Sequence, residues 1–175
     1  MQTRDTDYCL AGGRTGHSMF KIPILGLTDS SLCAIPKESP RATLLRTTKL
    51  IIYDESLMQH RYGFEALDRS LQDIRDDNRP FGGLTVVFGG DFQQILPVVV
   101  KGSQEDIVAA SLQQSYLWHT MEIIKLHQNM RLLNTPEELA FANWLLDVGH
   151  GQNIAQDQTI ALPPNVVSHS VRATS

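Results

Sequence analysis

The sequence predicts an α/β fold with a mainly parallel sheet. Three observations predict it. Short continuous apolar runs occur at 50–53 and 84–88, the first strand extending back to 49, and Glu122-Ile123-Ile124-Lys125-Leu126 reads as a third short strand. Stretches with helical period or helix-start chemistry alternate with them. Two of the runs end directly in acidic or glycine-rich loops, which suits strands that present a site at their carboxyl ends.

The elements follow in order. Residues 1–11 are mostly polar, and Gly12-Gly13 marks a turn. Residues 14–25, broken by Pro23, read as loop with a short strand. Residues 26–40, with Ser, Asp, Gly, Pro36 and Pro40, read as an exposed connection. Residues 41–48 form a short helix that hands over to the first strand. That strand, ending Leu50-Ile51-Ile52-Tyr53, is apolar throughout, which predicts burial on both faces. From 61 to 77, Phe64, Leu67, Leu71 and Ile74 recur at three and four, with Glu65, Asp68, Arg69, Gln72 and Arg75 on the opposite face. Asn78-Arg79-Pro80-Phe81-Gly82-Gly83 stops this helix, and Leu84-Thr85-Val86-Val87-Phe88 is the second strand. Ser103 with Glu105 and Asp106 opens another helix, and residues 122–126 form a third strand. Thr135-Pro136-Glu137-Glu138 is the best helix start in the chain, with Phe141, Trp144, Leu145 and Val148 as the apolar stripe that follows. The polar 151–175 stretch is expected to be a poorly ordered tail.

Composition sets the class. The 175 residues are 42% hydrophobic and 19% charged, which suits one globular domain with a real core. The net charge of −4 gives no global basic signal for nucleic acid, although a local groove can be basic on an acidic protein. Cys9 and Cys33 have no CxxC spacing, so neither a disulfide scaffold nor a zinc site is indicated, and a reducing compartment is expected. No apolar run approaches the roughly 18 residues of a membrane span. The six histidines lack HxH or HxxxH spacing, so zinc is not expected.

The candidate chemistry lies at two strand ends. Asp54 and Glu55 close the first strand; Gly89-Gly90-Asp91-Phe92-Gln93-Gln94 close the second. An acid pair after a buried strand suits Walker B chemistry, in which one carboxylate holds Mg²⁺ and the other orients or deprotonates water. A glutamine in the second loop can sense a γ-phosphate or orient the attacking water. The competing reading is a solvated acidic turn beside a glycine-rich turn. Arg131, after the third run, could reach a phosphoryl group or be an ordinary surface arginine. Ala11-Gly12-Gly13-Arg14-Thr15-Gly16-His17-Ser18 nearly has phosphate-loop spacing, but alanine replaces the first glycine and His17 replaces the lysine. Pro23 also prevents the long helix such a loop needs. No Gly-Lys pair occurs anywhere in the 175 residues, so they contain no Walker A motif.

Residues 12–24, 50–56, 64–69, 81–98 and 129–132 together resemble the Pif-type DNA helicases of superfamily 1, in particular the branch found in Helitron transposons. The resemblance covers about residues 11–150. It implies an incomplete RecA-like (P-loop NTPase) domain lacking the Walker A strand and loop, with 1–10 as a truncated lead-in, 11–150 as part of the first helicase domain and 151–175 as tail. It further implies ATP and Mg²⁺ as cofactors. Asp54 would hold the metal and Glu55 would activate water. Gln94 would sense the γ-phosphate, and Arg131 would contact it. Thr15 and His17 would lie along single-stranded DNA. The implied activity is ATP-dependent, 5′-to-3′ unwinding of duplex and forked DNA in repair, recombination, telomere maintenance or transposition, in the nucleus. Gly16 stands where that branch usually has alanine. With Walker A absent, the expectation for these residues alone is poor solubility and weak or no ATP hydrolysis. The alternative is a non-catalytic remnant that binds single-stranded nucleic acid or a protein partner.

Overall fold

A computed structural model describes residues 13–91, 97–126, 135–152 and 159–160. The chain divides into two compact units, residues 1–122 and 123–175.

The first unit holds the sheet. Strands β1 (Leu50–Tyr53) and β2 (Thr85–Phe88) pair in parallel, with Leu50 opposite Thr85 and Tyr53 opposite Phe88. Both carboxyl ends therefore lie side by side. The apolar runs predicted burial on both faces; the structure corrects this. Ile51, Tyr53, Val86 and Phe88 face the core, whereas Leu50, Ile52 and Val87 are each about half exposed on the other face. Strand alternation puts successive side chains on opposite faces, and the hydrophobic core of the first unit lies against only one of them.

Helix α3 (Arg61–Arg75) is the centre of the core. Phe64, Leu67, Leu71 and Ile74 are fully buried, as their spacing requires. Its opposite face is not the solvated one that the charges suggested. Glu65 is 3% exposed and Asp68 1%. Ser115 donates to Glu65 at 2.9 Å; Tyr116 donates to Asp68 at 2.6 Å, and the Phe81 N–H donates to it at 2.5 Å. Ser115 joins two short 3₁₀ turns, Leu112–Gln114 and Tyr116–Thr120, and Tyr116 opens the second. The Asp68 bond also fixes Phe81, a non-glycine residue at φ 53°, within the tight turn Pro80–Gly83.

Three further elements complete the unit. α1 (Gly16–Phe20) is one helical turn where loop and strand were expected; Thr15 supplies the missing acceptor by capping the Ser18 N–H at 3.3 Å. α2 (Pro40–Thr47) starts at the cap Ser39 with Pro40 in its first turn. Arg75 donates to the Leu45, Arg46 and Thr48 carbonyls at its far end, so α3 closes α2. α4 (Gln104–Ala109) begins with a reciprocal capping box between Ser103 and Asp106.

The 122–126 run is not a strand. It has no regular structure, and Leu126 is 96% exposed. Three apolar residues flanked and split by Glu122 and Lys125 do not make a strand by themselves; a strand needs a neighbouring ladder, and among the described residues none pairs with this run. In the second unit, α5 (Pro136–Gly149) starts as predicted, with Thr135 capping the Glu138 N–H at 3.3 Å. The expected 151–175 tail lies almost wholly outside the described residues.

Candidate nucleotide site at the strand ends

Asp54 and Glu55 occupy a two-residue arch. On its near side, the Gly89 N–H donates to the Tyr53 carbonyl at 2.8 Å. On its far side, the Ser56 N–H donates to the Gly89 carbonyl at 2.9 Å. A regular parallel ladder continuing from Tyr53 opposite Phe88 would use the Glu55 N–H for that second bond. One residue is therefore inserted, as in a β-bulge, and bulges re-aim side chains at strand ends. Glu55 absorbs the insertion at φ 51°, ψ 37°, a left-handed conformation that non-glycine residues seldom adopt.

Both carboxylates point to solvent. The Glu55 N–H donates to Asp54 Oδ1 at 3.0 Å, which fixes the Asp54 carboxylate without a basic partner. The donor set is hard oxygen. Magnesium is commonly held by one or two carboxylates, with water and substrate phosphates completing its shell, so Asp54 and Glu55 fit one side of such a site. Among the described residues no cluster of three or more His, Cys, Asp or Glu could enclose a metal ion.

The glycines after β2 have a specific role. A Cβ on Gly89 would lie 2.8 Å from Asp54 Oδ1, and one on Gly90 would lie 2.8 Å from Leu57 Cγ. Glycine here lets the second loop press against the acid arch; the sequence had suggested close approach to a ligand. Gln94, the expected phosphate sensor, and Arg131 lie outside the described residues.

The expected DNA-facing residues sit nearby. Thr15 is exposed and caps α1, and His17 is half-buried on the same turn. Arg41 donates to the Ser18 and Met19 carbonyls at 2.6 Å, which anchors the turn's end. Gly16 abuts the Tyr53 hydroxyl, where a Cβ would overlap it. Tyr53 stacks on Phe20 with centroids 6.2 Å apart and meets Phe64 edge-on at 5.1 Å. The turn bearing Thr15 and His17 is thus packed against the residue that precedes Asp54. The structure brings Asp54, Glu55, Ser56 and Gly89 together. Sequence reasoning missed Ser56, whose only signal was its place beside the acid pair.

Residues 7–159 match the sequence pattern of the PIF1-like helicase family. The chain belongs to that family. It is similar to the ATP-dependent DNA helicase Pif1 of Psychrobacter sp. (strain PRwf-1), with 31% identity over 120 residues covering 68% of this chain and 18% of the relative. It is 36% identical to Homo sapiens ATP-dependent DNA helicase PIF1 over 98 residues, 55% of this chain and 15% of the human protein. The crystal structure of Pif1 helicase from Bacteroides in complex with ADP-AlF3 and single-stranded DNA matches with a TM-score of 0.68 and 27% identity. That match covers 85% of this chain and 35% of the other. The chain therefore spans about a fifth or less of the length of these curated relatives. No helix among the described residues is long and apolar enough to cross a membrane.

Proposed function

We propose that this chain carries the magnesium-and-water side of the ATP site, and part of the single-stranded DNA track, of an ATP-dependent DNA helicase. One observation carries the reading: parallel pairing of β1 and β2 sets Asp54 and Glu55 directly against the Gly89-Gly90 loop, with both ends of the acid arch bonded to Gly89. Asp54 would hold Mg²⁺, which when bound supplies neutralisation of the charge that develops on the phosphates during hydrolysis. Glu55 would orient the attacking water and accept its proton. Gln94 and Arg131 would contact the γ-phosphate. Thr15 and His17 would follow the DNA backbone, a sequence-independent and salt-sensitive mode of binding. Residues 11–150 would belong to the first RecA-like domain. The Pif1 structures with single-stranded DNA and with forked duplex support this substrate class. The finer reading is 5′-to-3′ unwinding in repair, recombination, telomere maintenance or transposition, in the nucleus.

Without a Gly-Lys pair, the 175 residues by themselves are expected to hydrolyse ATP only at background. The test is strand separation. A chimera places residues 13–150 in the matched region of the Bacteroides Pif1 helicase. It should unwind a fork with a 5′ tail in an ATP-dependent manner and leave a 3′-tailed duplex intact. A folded chimera that binds DNA and ATP yet separates neither substrate would refute the proposal. Robust, Glu55-dependent hydrolysis by the 175 residues alone would refute the expectation for the chain itself.

A further inference from the structure

The Ser56 hydroxyl has no part in the proposed chemistry, yet it is more tightly engaged than either acid. Ser56 is 2% exposed. Its Oγ donates to the Gly89 carbonyl at 2.9 Å, the same oxygen that already accepts the Ser56 N–H at 2.9 Å. Both lone pairs of that carbonyl are thus filled by one residue. The Gly89 N–H is bonded to Tyr53. A single residue of the β2 loop, Gly89, therefore grips the arch on both sides through its N–H and its carbonyl, and the serine closes the grip on the side of Glu55.

The grip works against strain. Glu55 sits at positive φ, a conformation that is costly for a non-glycine residue and persists only where surrounding bonds enforce it. The Asp54 carboxylate is oriented by the Glu55 N–H, so its direction depends on the arch keeping this shape. At the arch's far foot, a part-buried hydroxyl-to-carbonyl bond holds the Ser56 side chain to the β2 loop.

We propose that Ser56 is a positioning residue for the metal site: its hydroxyl, bonded to the Gly89 carbonyl, locks the Asp54-Glu55 arch into its metal-binding geometry and registers it against the Gly89-Gly90 loop. The inference rests on the reading of Asp54 as the metal ligand. Outer partners that orient a ligand typically contribute ten- to hundredfold to metal affinity, about tenfold being expected here.

The test uses the full 175-residue chain, labelled with ¹⁵N, and Mn²⁺ alone as a paramagnetic probe. In the wild type, Mn²⁺ should broaden the backbone amide signals of Glu55, Ser56, Gly89 and Gly90 together. Asp54→Asn should abolish this. Ser56→Ala should need about tenfold more Mn²⁺ for the same broadening at Glu55, and Gly89 and Gly90 should no longer broaden in step with it. Ser56→Thr, which keeps the hydroxyl, should restore both. Unchanged α3 amide signals show that each variant is folded, and Ser56→Cys, a similar volume with a weak donor, replaces the alanine variant if that one unfolds. If Asp54→Asn abolishes broadening and Ser56→Ala leaves it at wild-type Mn²⁺ levels, the positioning role is wrong and the metal reading stands. If Asp54→Asn changes nothing, both fall.

Discussion

Glu55 and His60 show how single residues trade stability for position. Glu55 holds a left-handed backbone that asparagine adopts more readily. Glu55→Asn should therefore stabilise the fold by up to about 1 kcal/mol, a rise of roughly 2–4 °C in Tm, while removing the proposed base. Unchanged or lower thermal stability would show that the arch is not strained. His60 caps α3 by accepting the Tyr62 N–H at Nδ1, 3.1 Å away. Desolvation first, and then Arg61, lowers its pKa from the ordinary 6.5; Glu65 opposes the shift. The folded form thus resists a proton that the unfolded chain accepts. The contribution of His60 is complete above pH 6.5 and is lost as pH falls through the lowered folded value. Urea unfolding at stepped pH should show this loss, and His60→Asn, a cap that does not titrate, should flatten that part of the profile.

At the scale of the element, α3 shows what was readable and what was not. Its apolar positions were legible because a 3.6-residue period maps directly onto one buried stripe. The burial of Glu65 and Asp68 was not legible, because charge normally marks a solvated face. Beside the local partners Arg61 and Gln72, one turn away in the same helix, they are held by Ser115, Tyr116 and the Phe81 N–H, which chain topology brings from some 13 to 50 residues away. No local pattern encodes such partners. Burial, and then the bond to Asp68, pushes the Tyr116 hydroxyl pKa well above its ordinary range. Asp68→Ala would leave Phe81 N–H and Tyr116 hydroxyl unpaired and should cost about 3 kcal/mol, read as a fall in the urea midpoint. A loss under 1 kcal/mol would mean that water replaces the carboxylate easily. The helix starts at Ser39, Ser103 and Thr135 were legible because capping is local chemistry. The single turn of α1 was not, since its glycine and one-turn length hide the period that marks a helix.

At the scale of the molecule, the parallel pairing and the placing of the acids at a strand end were both legible, because an apolar run followed by polar loop residues marks where a strand leaves the core. The exposed face of the sheet was not. Leu50, Ile52 and Val87 read as core in sequence, yet each is about half exposed in the structure. Such a patch should bind an apolar dye, and Ile52→Thr with Val87→Thr should reduce that fluorescence without lowering stability. The arch itself was half legible: the residue types were plain, while the inserted residue and the Ser56–Gly89 bonds belong to three dimensions.

The central claim is that Glu55, held on this arch, activates water for ATP hydrolysis in a helicase site. The most direct measurement is the rate of ATP hydrolysis stimulated by single-stranded DNA in the Bacteroides Pif1 chimera carrying residues 13–150. It should be compared with the same chimera bearing Glu55→Gln, at saturating ATP and with ATP binding measured in parallel. Unchanged ATP binding and a fall in rate on the order of 10²- to 10⁴-fold are expected. A Glu55→Gln chimera that binds ATP and hydrolyses it at the unsubstituted rate would contradict the claim.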